Sequence, residues 1–69
     1  MASNTEKTVD TIFGPFNNNL AKSLVKHYDA AIKEGRDTFM FHLESGEEHE
    51  MFTKLAGYLI EYLSNQGLL

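Results

Sequence analysis

The chain has 69 residues, of which 42% are hydrophobic and 23% charged, with a net charge of −4 and no cysteine. That length holds one small domain whose core is marginal unless a disulfide, a metal or a partner chain adds to it, and the missing cysteines exclude disulfides and thiolate zinc sites. The composition is that of a globular chain, no apolar run approaches the roughly 18 residues that span a bilayer, and the acidic balance argues against a nucleic-acid backbone as partner.

The opening stretch MASNTEKTVD has no basic region followed by an apolar core, so no signal peptide is expected and a cytoplasmic protein is the default. Residues 1–4 are expected to be flexible, and 5–69 to form a single small α+β domain. Ser3 followed by Glu6 resembles a capping box, with Val9, Ile12 and Phe13 at helical spacing behind it, which predicts a short N-terminal helix. The β-branched content of TVDTIF would also suit a strand. Gly14-Pro15 ends either element.

An amphipathic helix follows. One of Asn17–Asn19 is suited to cap it. Leu20, Ala21, Leu24, Val25, Tyr28, Ala31 and Ile32 share one side, opposite Lys22, Lys26, Asp29 and Lys33. Gly35 is the expected left-handed terminator.

In DTFMFHLE, Phe39, Phe41 and Leu43 alternate with Thr38, Met40 and His42, which is strand periodicity with one aromatic face. Its backbone needs a partner. Residues 47–52 folded back through a turn at Glu44–Glu47 are the first choice; the 7–13 segment and the same strand of a second chain are the alternatives. A hairpin would place His49 and Met51 on the aromatic side.

The last helix, FTKLAGYLIEYLSNQGLL, has Phe52, Leu55, Ala56, Leu59 and Leu63 as its stripe, with Gly67 as terminator and Leu68 packing back on Leu63. Met51, Tyr58 and Tyr62 flank one edge of the stripe and Ile60 the other. The apolar arc covers about 200°, where burying one face needs only about 100°. Gly57 costs roughly 1 kcal/mol against alanine but permits a close approach. The two main helices are expected to pack over the Phe39/Phe41/Leu43 face.

The segment ESGEEHEMF is where chemistry would be sought. His49 has no second histidine four residues away, and only a hairpin would bring His42 near it. A solvated turn accounts for the same residues: Ser45 and Glu48 as a helix cap, or alternate glutamates guarding a strand edge. The serines lack a nucleophile-elbow context, no glycine-rich phosphate loop is present, and so short a chain has little room for an active site. No enzyme, metal or cofactor is therefore expected. His27 reads as a boundary histidine of the first helix, and Lys22, Lys26, Lys33 and Arg36 as a solvated face.

Charge is divided unevenly. Residues 1–36 carry a net +1, whereas residues 37–69 set Lys54 alone against Asp37, Glu44, Glu47, Glu48, Glu50 and Glu61, a net −5. A short, acidic, cysteine-free chain of this kind has the character of a small adaptor, or of an inhibitor such as phages encode. The expected function is a homodimeric, non-enzymatic module that binds a protein with a basic surface. Met51, Tyr58, Ile60 and Tyr62 are the expected contacts, with Glu47, Glu48 and Glu50 as an acidic rim. The alternative is a small protein that binds or mimics nucleic acid.

Overall fold

A computed structural model describes residues 7–43 and 45–69. Its elements are β1 (Val9–Thr11), β2 (Gly14–Phe16), α1 (Asn18–Glu34), β3 (Thr38–His42), β4 (Glu48–Phe52) and α2 (Thr53–Asn65). The strands make two separate two-stranded antiparallel hairpins. The architecture is thus α+β, with both helices and the β1–β2 hairpin packed on one face of β3–β4.

The N-terminal helix is the first correction. Residues 9–16 pair as Val9↔Phe16, Asp10↔Pro15 and Thr11↔Gly14. Gly14, at φ +101°, turns the chain where a helix would have had to continue. The Thr11 hydroxyl closes the turn by accepting from Phe13 N–H (3.0 Å) and donating to Gly14 C=O (2.8 Å). Val9 and Phe16 are buried while their strand neighbours Asp10 and Pro15 are exposed, an alternation that suits the pleat of a strand. The Ser3–Glu6 capping box lies outside the described residues.

Both helices begin and end for local reasons. The Asn17 side chain accepts from Leu20 N–H (2.8 Å) and caps α1. Gly35, at φ +69°, ends it, with Arg36 N–H returning to Ala31 C=O (2.8 Å). At the end of α2, Gly67 N–H reaches Ser64 C=O and Leu68 N–H reaches Leu63 C=O, both at 3.0 Å. Leu68 is buried against the core, and Asn18 of α1 donates to its carbonyl at 2.7 Å. The start of α2 differs from expectation. Helix begins only at Thr53, and Phe52 is the last strand residue, 64% exposed rather than part of the stripe. Thr53 holds that junction by donating from N–H to Asp37 C=O and from its hydroxyl to Arg36 C=O, each at 2.7 Å.

In the β3–β4 hairpin, Phe39 faces Met51 and Phe41 faces His49. This is the intrachain pairing expected for β3. Phe39, Phe41 and Met51 point into the core with Phe16, Leu24, Ala56, Leu59 and Leu63. Phe16 stacks on Phe41 with ring centroids 6.1 Å apart. Thr38, Met40 and His42 on β3, and Glu48, Glu50 and Phe52 on β4, make the outer face. The connecting turn has Gly46 at φ +92°, and Leu43 N–H reaches Glu47 C=O at 2.8 Å. Residues 45–52 of that segment are therefore a hairpin turn with its strand, and Ser45 caps no helix.

Truncating Phe41, fully buried at the centre of this packing, is expected to cost about 3–5 kcal/mol, a large share of the stability of so small a domain. Phe52→Ala is expected to stay within about 0.5 kcal/mol, since little of that ring leaves water. Urea titration of both variants checks the register, because a slip by one residue would reverse the two results.

Candidate binding surface

Around α2, the buried positions Thr53, Ala56, Leu59 and Leu63 face the sheet and the β1–β2 hairpin. α1 occupies one flank. A Cβ on Gly57 would lie 3.2 Å from the Tyr28 hydroxyl, so the close approach that the glycine permits is made by a tyrosine of the same chain. Ile60 is half-buried and packs against the core. The opposite flank carries Leu55, Tyr58 and Tyr62, and no other described residue covers the two tyrosines.

The chain from Lys7 to Phe13 runs antiparallel to this bare flank. Lys7 Nζ donates to Gln66 C=O near the end of α2, while Ile12 and Phe13 share a groove with Leu55, Tyr58, Leu59 and Tyr62. Between them is an open groove of about 480 Å³, lined by Asp10, Thr11, Ile12, Phe13, Leu55, Tyr58, Leu59 and Tyr62. Ile12 is 80% exposed, Tyr58 61% and Tyr62 43%. The walls are thus an aliphatic knob from a hairpin tip and two aromatic rings from a helix, with the Asp10 carboxylate at the margin. Such a surface keeps apolar area in water and gains by covering it.

The expected contact residues separate in space. Tyr58 and Tyr62 stand together on the groove, and Ile60 lies on the α1 side of the helix. Met51 is corrected outright: it belongs to β4, its side chain points inward, and at 1% exposure it is core. The sequence pattern continued the helix back to Met51, whereas the strand holds it on the aromatic face. Glu48 and Glu50 lie on the outer face of the sheet, not around the tyrosines, and Glu47 is in the turn. The carboxylate at the groove is Asp10. Ile12, Phe13 and Leu55 complete the surface and were missed. The clue was two large apolar residues immediately before Gly14-Pro15, where a turn leaves side chains in solvent.

Two histidine–carboxylate contacts involve the acidic segment. His42 Nε2 lies 3.4 Å from Glu48 Oε2 on the outer face, and His49 Nε2 lies 3.3 Å from Glu47 Oε1 on the inner side. Strand alternation keeps the two histidines on opposite faces, so the hairpin does not converge them on one ion. Among the described residues no three histidine or carboxylate side chains gather at a common point. His27 sits beside β3, with its ring 5.5 Å from Phe41 and Nδ1 2.8 Å from Ser23 C=O. Among the described residues no helix is long and apolar enough to cross a membrane.

Comparison with known proteins finds no matching family model, no matching curated protein and no matching solved structure.

Replacing Ile12 and Tyr58 together by serine is expected to leave the urea midpoint nearly unchanged, because both side chains are largely in water already. The same variant is expected to lose most binding of an apolar fluorescent dye that the wild-type chain retains. Unchanged dye fluorescence would place the accessible apolar surface elsewhere.

Proposed function

We propose that this chain is a non-enzymatic protein-binding module, an adaptor or inhibitor, that acts as a homodimer and seats an apolar segment of a larger protein in the Ile12–Tyr58–Tyr62 groove. The observation that carries the reading is the bare flank of α2. Tyr58 and Tyr62 are four residues apart on a helix whose other flank is already packed, and they face a hairpin tip that leaves Ile12 in water. Tyrosines offer large, stiff contact area with a polar tip, a common chemistry at protein contacts. Asp10 beside the groove, and a net charge of −4 over the whole chain, favour a partner with basic residues flanking its apolar anchor.

The outer-face glutamates enter this reading only as a long-range field. They speed approach without touching the anchor, and salt screens that effect over about 8–10 Å.

The test is affinity capture from the native host with three baits: wild type, Tyr58→Ala/Tyr62→Ala, and Phe52→Ala as an exposed aromatic outside the groove. A protein retained by wild type and Phe52→Ala but lost from the double variant is the expected result. Asp10→Lys is expected to slow association of that protein at low salt more than at high salt. Equal retention by all three baits would remove the groove from the function.

A further inference from the structure

The two long edges of the β3–β4 hairpin are not equivalent. The bonds Leu43 N–H to Glu47 C=O and Thr53 N–H to Asp37 C=O lie in phase with the pairs Phe39↔Met51 and Phe41↔His49. Those inward pairs consume the main-chain groups of alternate residues. The N–H and C=O groups of Thr38, Met40 and His42 therefore point away from β4, and those of Glu48, Glu50 and Phe52 point away from β3. Among the described residues no further strand pairs with either edge.

Charge distinguishes the edges. If two copies met antiparallel along β4, Glu50 would lie opposite Glu50 of the second copy, a like-charge pair that opposes association. Along β3, Met40 would lie opposite its own copy and Thr38 opposite His42, with no carboxylate or lysine on the strand. The layer above agrees. α2 packs on the Tyr28 side of α1. The other flank of α1 therefore leans over the free edge of β3, where His27 meets Phe39 and Phe41. At helical spacing that flank carries Ser23, His27 and Ala30, with Glu34 at its C-terminal end paired to Arg36 at 2.8 Å, while Lys22, Lys26 and Lys33 stand on the solvent side. Ser23 and Ala30 are small enough there to let a second α1 come close.

We infer that a second copy of this chain docks on the open edge of β3, joining two hairpins into a continuous four-stranded antiparallel sheet with the two α1 helices side by side above it. The two-fold axis passes between the two Met40 residues, perpendicular to the sheet. Thr38, Met40 and His42 thereby gain main-chain partners that the described residues of one copy do not supply. This assigns an interface to the homodimer proposed above and so rests on that part of the reading; the Tyr58–Tyr62 groove lies on the far side of each copy and stays open.

Light scattering on a size-exclusion column over a micromolar concentration series, with amide exchange followed by NMR, tests the interface. The wild-type chain is expected to dimerise with Thr38, Met40 and His42 amides protected as the dimer fills, while Glu48, Glu50 and Phe52 amides stay unprotected. Met40→Lys sets a cation opposite its copy in the dimer yet beside Glu50 within one chain. It is expected to weaken the dimer at least roughly tenfold, about 1.4 kcal/mol, with unchanged circular dichroism. A dimer that survives Met40→Lys, or protects β4 amides instead of β3, overturns the β3 interface. If Tyr58→Ala/Tyr62→Ala dissolves that dimer, the contact is the groove and the homodimer itself stands. A wild-type chain that stays monomeric throughout removes both.

Discussion

Pairing Phe39 with Met51 and Phe41 with His49 decides which half of each strand is dry, and the remaining elements follow from it. The turn at Gly46 pins one end of this ladder, and the Thr53–Asp37 bond pins the other. A slip of one residue would put Met40 and Glu50 inside and expose the aromatic rings. With the ladder held at both ends, the inner face offers Phe39, Phe41 and Met51 as a floor. The helices and the first hairpin close over that floor, and the outer face is left to solvent.

A two-stranded floor is narrow, and the helices above it compete for the same few side chains. α1 takes the β3 side and α2 the β4 side, with Tyr28 lying against Gly57 between them. Each helix then retains a flank that no third helix among the described residues covers. On α2 that flank is aromatic and faces the β1–β2 tip; on α1 it carries Ser23, His27 and Ala30, with the Glu34–Arg36 ion pair at its end. Because the two flanks point away from each other, one can join copies while the other receives a different protein, without competition between the roles.

Much of this was legible in the sequence where local rules coincide with burial. Asn17, Gly35 and Gly67 mark helix ends by capping and left-handed geometry, which need no tertiary information. The alternation from Thr38 to Leu43 reported a strand for the same reason. Three readings failed where tertiary contacts outrank spacing. Val9, Ile12 and Phe13 match a helical repeat, yet Val9 and Phe16 find the core only as a hairpin. Phe52 and Met51 extend the α2 pattern backward, but pairing with Thr38 and Phe39 keeps them in strand. The acidic rim was assigned by proximity in sequence, whereas alternation sends Glu48 and Glu50 to a face the tyrosines do not share. The groove has walls from residues more than forty positions apart, so no single stretch could announce it.

Gly57 has a mechanical consequence. At that position the two helices touch through the oxygen-bearing end of a ring, at a spacing that leaves no slack for a larger side chain. Even a methyl group there would meet the Tyr28 hydroxyl at 3.2 Å, so a side chain at this position either swings that ring aside or rolls one rod about its axis. Tyr58 is the very next residue, so any roll of α2 is carried straight to the groove. A substitution facing the inside of the molecule would thus retune its outside, shifting the aromatic wall relative to Ile12 without altering a single atom of either.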